Sequence, residues 1–198
     1  IITHVRARDR SVAETLAAFE RLRAAGIADI LVVTGDRYEN GEEAEHATSL
    51  DVLRAASARF GGEVRFWAAF DPYRGGLDAE LDYARAKMDA GAAGLFTQPF
   101  FDAGLARICL ERLAGIETFV GLSPVTSEKS RAYWERTNRV VFPPEFVPTL
   151  DYCARLAADL MRLAEDYGQH AYLMPIRVEP KAYIEAAFAH FDVAKTAP

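Results

Sequence analysis

The chain has 198 residues, of which 51% are hydrophobic and 26% charged, and its formal net charge at pH 7 is −6. This length predicts a single domain, and the acidic balance argues against a nucleic-acid-binding protein, which needs a basic face. No apolar run approaches the roughly 20 residues that span a bilayer and no secretory signal is visible, so we expect a cytoplasmic protein without a membrane partner. The two cysteines, Cys109 and Cys153, have no metal-ligand spacing; they predict reduced, buried thiols and no metal site.

Short apolar segments recur along the chain and predict six strands. Most are continuous apolar runs, as expected for strands that are covered on both faces. They comprise residues 1–5, 30–33, 66–70, 94–96, 118–122 and 171–174. Because a domain rarely begins inside a strand, we expect further residues upstream of Ile1.

Amphipathic segments between these runs predict helices. Ser11 and Glu14 have the spacing of a capping box, and the apolar residues that follow at helical spacing stop at Gly26. Pro180 is placed to open the last helix, where its missing N–H costs nothing. Two helices, rather than one, are predicted between the last two strands, and the second of them covers residues 152–167.

Strand–helix units recur roughly every 30 residues, which is the spacing of a (β/α)8 barrel. A doubly wound sheet is the competing architecture, but no Gly-x-Gly-x-x-Gly follows any predicted strand. The sequence therefore predicts an α/β fold, a (β/α)8 TIM barrel that lacks its first two βα units. We expect residues 1–198 to form one barrel domain that is incomplete at its N-terminus.

Polar residues follow the predicted strands, where a barrel has its active site. These strand-end candidates are His4, Thr34, Asp36, Asp71, Gln98, Ser123 and Arg177. Gln98 is the most informative, since an amide at a strand end has no inexpensive packing role. Asp36 is equally well explained as a turn residue or as a site residue. Together these groups suit a polar heterocycle with an acidic tail.

One segment resembles a known family closely. Residues 87–92, Lys-Met-Asp-Ala-Gly-Ala, lead into residues 96–102, Phe-Thr-Gln-Pro-Phe-Phe-Asp. They resemble the helix end and the Thr-Gln-x-Phe-Phe strand end of methylenetetrahydrofolate reductases. Further matches follow in the family's order, at residues 34–36, 68–70, 124–125 and 137–138. The resemblance covers nearly the whole chain and begins at the family's third strand.

The resemblance implies an oxidoreductase of one-carbon metabolism and methionine biosynthesis that reduces 5,10-methylenetetrahydrofolate to 5-methyltetrahydrofolate with NAD(P)H. Asp36 would then lie beneath the pyrimidine edge of the flavin and also stabilise cationic folate intermediates. Gln98 would bind the pterin, and Arg177 would lie near the folate tail. The implied flavin contacts are His4, Thr34, Gly35, Ala47, Phe70 and Lys87. Lys87 would lie near the phosphates, although a helix lysine is more often solvated surface. The family's general acid is expected upstream of Ile1.

Several positions depart from the family pattern, and each change removes a flavin or stacking contact. Thr34 replaces an arginine, and Glu128 replaces an aromatic residue. The other positions that depart from the pattern are His46, Phe70 and Arg74. We therefore predict weak or absent FAD and direct hydride transfer from NAD(P)H to a small-molecule folate. A folate-binding barrel without redox activity and an unrelated barrel enzyme are the alternatives. The sequence predicts no oligomeric state and does not distinguish NADH from NADPH.

Overall fold

The computed structural model describes residues 1–35 and 47–195, with side chains through residue 191. Its strands are β1 (Ile2–Arg6), β2 (Asp29–Val33), β3 (Arg65–Phe70), β4 (Gly94–Pro99), β5 (Thr118–Leu122) and β6 (His170–Leu173). Its helices are α1 (Val12–Ala24), α2 (Ser49–Phe60), α3 (Leu77–Asp89), α4 (Ala103–Arg112), α5 (Glu128–Asn138), α6 (Leu150–Asp166) and α7 (Pro180–Lys195). None of these helices combines the length and apolar character that a membrane crossing requires.

The six strands form one sheet, and their spatial order is their order along the chain. Neighbouring strands run parallel, with Val5 opposite Val32 and Gly121 opposite Tyr172. A sequential parallel order with helical connections is the arrangement of consecutive barrel strands, whereas the strand order of a doubly wound sheet reverses. The predicted fold class is therefore confirmed.

The predicted elements lie where the sequence places them, with small differences at their ends. β4 continues to Pro99 because pairing with β5 persists past the apolar run: the Phe100 N–H donates to the Gly121 carbonyl at 3.1 Å. Gln98 thus belongs to the strand rather than to the following loop. The capping box is also present, since the Glu14 N–H donates to Ser11 Oγ at 3.3 Å.

Contacts divide the chain into two compact units. The first comprises Ile1–Phe70 and Leu81–Phe96. In it, Phe66 of β3 packs on Phe19 of α1 and Phe60 of α2, with ring centroids 5.2 and 5.8 Å away. The face of β3 that carries Phe66 therefore packs against α1 and α2.

The second unit comprises Asp71–Glu80 and Thr97–Pro198. An aromatic cluster fills its core around Phe101, which is 1% exposed. The Phe101 ring centroid lies 5.2 Å from that of Trp134, 4.8 Å from that of Phe142 and 6.2 Å from that of Phe146. We refer to these four residues as the Phe101 cluster.

Both cysteines are free and buried, as the sequence predicts. The Cys153 thiol donates to the Val125 carbonyl and accepts the Val125 N–H, both at 3.3 Å. Burial raises the pKa of Cys109 from 9.0 to about 12. The folded chain therefore keeps the Cys109 proton at a pH where the unfolded chain loses it.

This shift predicts a loss of stability in alkali. The contribution of Cys109 is fully present below pH 9.0, the ordinary thiol value, and is lost progressively as the pH rises toward 12. The thermal midpoints of the wild type and Cys109→Ala should therefore converge over that range, because alanine does not titrate. A midpoint difference that stays constant with pH would contradict the shift.

Candidate functional site

The first unit brings several predicted cofactor positions to the carboxyl ends of its strands. Thr34 directly follows β2, and its Oγ1 lies 3.2 Å from Ser49 Oγ at the start of α2. Ser49 Oγ in turn lies 3.1 Å from the Tyr83 hydroxyl on α3. A chain of three hydroxyl groups therefore joins β2, α2 and α3 within this unit.

A buried lysine adjoins this hydroxyl chain. Lys87 is only 2% exposed; its Nζ donates to the Ala69 carbonyl at 2.5 Å and lies 4.0 Å from the centre of the Tyr83 ring. A lysine is almost never this buried unless it is paired, so the solvated alternative for Lys87 is wrong. The ammonium group and the nearby hydroxyls have the chemistry of an anion-binding cluster.

Two arginines that sequence reasoning overlooked surround Gly35. The Arg8 Nη1 donates to the Gly35 carbonyl at 3.2 Å, and a Cβ on Gly35 would lie 2.7 Å from Arg6 Nε. Gly35 also has φ +84°, which favours glycine. Arg6 at the end of β1 and Arg8 two residues later were the sequence signal for this arginine-rich strand end.

The remaining cofactor positions differ in their surroundings. His4 is exposed on β1, Ala47 is half-buried just before α2, and Phe70 is 0% exposed at the end of β3. Phe70 therefore offers no exposed surface to a cofactor. Asp36 and His46 lie outside the described residues.

Gln98 has the environment of a ligand-binding side chain in the second unit. It is half-buried. Leu95 and Thr97, whose side chains lie on the opposite face of β4, are 0% and 2% exposed. Within the described part of the chain its amide makes no hydrogen bond. A partly desolvated amide without a partner is costly, and a polar ligand would satisfy it.

Ser123 follows β5 and is a second strand-end group of this unit. It is 5% exposed, and its hydroxyl has no hydrogen-bond partner among the described residues. Hydrogen bonds hold the backbone before and after Ser123. The Leu122 carbonyl accepts the Met174 N–H at 2.7 Å, and the Val125 N–H donates to the Cys153 sulfur.

Arg177 lies in the connection between β6 and α7. It is exposed, and its backbone has φ +58°, a conformation uncommon for a residue with a side chain. Such conformations concentrate at functional sites. An exposed guanidinium in a fixed turn can form a bidentate pair with a ligand carboxylate.

Arg74, one of the departures from the family pattern, forms an internal ion pair. Its Nη2 lies 2.6 Å from Oε2 of Glu80, a carboxylate that is only 4% exposed. Glu80 Oε1 also accepts the Asp71 N–H at 3.1 Å. Sequence reasoning missed Glu80, whose position in the first turn of α3, six residues after Arg74, was the available signal.

The family model for methylenetetrahydrofolate reductase matches residues 1–165. The chain belongs to the methylenetetrahydrofolate reductase family. No functionally curated protein gives a sequence match.

Solved structures with related folds include both folate-binding and other proteins. An uncharacterized protein from Clostridium thermocellum that binds two copies of 5-methyl-5,6,7,8-tetrahydrofolic acid has a TM-score of 0.65 and 14% identity, over 98% of this chain and 72% of that chain. Oxaloacetate acetylhydrolase has a TM-score of 0.55 and 15% identity, over 98% of this chain and 57% of that chain. 2,3-Dimethylmalate lyase has a TM-score of 0.52 and 17% identity, over 100% of this chain and 70% of that chain. At these identities the likenesses show the fold alone.

The methylenetetrahydrofolate reductase family generally uses flavin, and the structure describes three of the positions at which the sequence predicts a lost flavin contact. The threonine that replaces the family's arginine bonds to Ser49, Arg74 is paired with Glu80, and Phe70 is buried. Lys87 is the remaining cation among the predicted flavin contacts. Among the residues that the structure describes, no group of acidic, histidine or cysteine side chains could hold a metal ion.

We therefore predict that the protein purified without added flavin carries little or no FAD. The expected result is a colourless protein, because several residues that contact the flavin in the family are replaced in this chain. Visible absorbance spectra before and after incubation with FAD measure this. Stoichiometric flavin in the purified protein would contradict it.

Proposed function

We propose that this protein reduces 5,10-methylenetetrahydrofolate to 5-methyltetrahydrofolate with NAD(P)H, without tightly bound flavin. The observation that carries the proposal is the amide of Gln98, which lies in the motif that most resembles the family and makes no hydrogen bond to any residue that the structure describes. Membership of the methylenetetrahydrofolate reductase family over residues 1–165 supports the substrate class.

The reaction requires a ring opening followed by hydride transfer. The bond between the methylene carbon and N10 breaks, N10 takes a proton, and a cationic iminium remains on N5. A hydride from the reduced nicotinamide then adds to that carbon, giving the N5-methyl group and oxidised NAD(P). The chain's contribution is to orient the two reactants and to stabilise the cation, and we assign the second role to Asp36.

The second unit supplies two groups with the chemistry of folate recognition. The carboxamide of Gln98 offers both a donor and an acceptor, which matches the polar edge of a pterin. The guanidinium of Arg177 offers paired donors, which match a carboxylate of the glutamate tail. Both assignments rest on the family resemblance, on the half-buried amide of Gln98 and on the exposed guanidinium of Arg177.

Gln98→Leu should weaken the binding of 5-methyltetrahydrofolate roughly 10- to 100-fold, because the pterin loses its partner while the side-chain volume is nearly kept. Fluorescence or calorimetric titration measures the change. The matched control is the chain's other glutamine, Gln169, whose Oε1 accepts the Thr118 N–H at 2.7 Å. Gln169→Leu should lower the thermal midpoint and leave the affinity unchanged; equal affinity losses in both variants would contradict the assignment.

A folate-binding protein without redox activity is the second candidate. It is favoured by Glu128, an exposed carboxylate at the start of α5 where the family stacks an aromatic ring. The structural neighbour that binds 5-methyltetrahydrofolic acid is compatible with either function.

An anaerobic assay separates the two candidates. The protein is mixed with 5,10-methylenetetrahydrofolate and NADH or NADPH, with and without FAD, and the 5-methyltetrahydrofolate formed is measured by chromatography. Catalytic product formation without FAD is the expected result. Tight folate binding without product would favour the binding protein, and a strict requirement for added FAD would overturn the flavin-independent step.

A further inference from the structure

We infer that Tyr172 is a positioning residue that fixes the orientation of Gln98 at the end of β4. Where the ligand is concerned, the inference rests on the proposed function. It concerns the second unit alone, in which Tyr172 lies on β6 and Gln98 on β4, with β5 between them.

The link is a hydrogen bond between residues far apart in the chain. The Tyr172 hydroxyl donates to the Thr97 carbonyl at 2.5 Å. That carbonyl and the N–H of Gln98 belong to one planar peptide unit, because the amide joins Thr97 to Gln98. Holding the carbonyl oxygen therefore holds the plane from which the Gln98 Cα, and then its side chain, extends.

Gly121 makes this contact possible. In the register of β5 and β6 it lies opposite Tyr172, so the tyrosine crosses β5 at a residue without a side chain. A Cβ on Gly121 would lie 2.8 Å from the Thr97 carbonyl oxygen and 3.1 Å from the Tyr172 hydroxyl oxygen. Any larger residue would push the two groups apart.

A second bond fixes the same residue from its side chain. The Gly121 N–H donates to Thr97 Oγ1 at 2.9 Å. Thr97 is thus held through its side chain by β5 and through its carbonyl by β6. Burial raises the pKa of Tyr172, so its hydroxyl remains a proton donor throughout the neutral range. Such double support of the residue beside a binding group is how ligand-binding geometry is kept rigid.

The test compares Tyr172→Phe with Tyr167→Phe. The first removes the hydroxyl and keeps the ring over Gly121. The second is the control, because the Tyr167 hydroxyl bonds instead to Glu111 at 2.9 Å on an exposed surface. The chain has only two glutamines and two asparagines, so the side-chain amide signals in a proton–nitrogen correlation spectrum are few. The pair of side-chain amide signals from Gln98 is assigned because it disappears in the spectrum of Gln98→Leu.

We expect Tyr172→Phe to shift or broaden the Gln98 amide signals and Tyr167→Phe to leave them unchanged. The dissociation constant for 5-methyltetrahydrofolate should rise roughly 3- to 10-fold in Tyr172→Phe. In the Gln98→Leu background the same change should have no further effect, because coupled residues are not additive.

Unchanged Gln98 signals, or an affinity loss that simply adds to that of Gln98→Leu, would overturn the positioning role even if the thermal midpoint falls. If the wild type binds no reduced folate, the proposed function fails. The amide signals still decide the structural link in that case, so the two failures are distinguishable.

Discussion

Asp36→Asn should lower the turnover of 5,10-methylenetetrahydrofolate roughly 10- to 1000-fold, the range expected for one preorganised electrostatic group. Asp36 follows β2 in sequence and lies outside the described residues; its proposed role rests on the resemblance to the family and on the reaction. The iminium formed on ring opening carries a positive charge, and a fixed carboxylate lowers its energy without reorganising. Asparagine keeps the shape and removes the charge.

A steady-state assay beside a thermal melt measures this effect. Asp82→Asn is the matched control, since it removes the same charge from an exposed helix surface where Asp82 pairs with Arg85. It should leave turnover within about twofold, as expected for a surface ion pair. Wild-type turnover in Asp36→Asn with an unchanged melt would show that Asp36 is only a turn residue.

Phe101→Ala should destabilise the fold by about 3–5 kcal/mol, the typical cost of truncating a fully buried phenylalanine. Phe101 is 1% exposed and contacts the other three rings of the Phe101 cluster. Removing its ring therefore leaves a cavity that neighbouring rings cannot fill without moving. Urea unfolding followed by tryptophan fluorescence measures the loss, because Trp134 is a member of the cluster.

Phe188→Ala is the control for this variant. Phe188 is 43% exposed on α7, and its truncation should cost clearly less than that of Phe101. Equal losses in the two variants would mean that the cluster does not form the core of the second unit.

The strands and most helix ends were predictable because their causes are local. Continuous apolar runs predict strands covered on both faces, and Ser11 with Glu14 predicts the start of α1 from neighbouring residues alone. The short motif that most resembles the family also identified Gln98 as a candidate site residue.

The rest of the candidate site depends on partners that are distant in sequence. Tyr172 and Thr97 are 75 residues apart, and only the order of β4, β5 and β6 brings them together. The burial of Lys87 likewise depends on the carbonyl of Ala69 and the ring of Tyr83, which helical periodicity does not reveal. Sequence patterns identify the elements, whereas pairing across the sheet decides the chemistry of the strand ends.

Calorimetric titration of the purified chain with 5-methyltetrahydrofolate tests most directly whether this is a folate protein. The control ligand is p-aminobenzoylglutamate, which carries the tail without the pterin. We expect saturable binding of the reduced folate with a micromolar Kd, clearly weaker binding of the control ligand, and a weakened response in Gln98→Leu. A folded wild type, shown by a cooperative melt, that binds no reduced folate would contradict the proposed function.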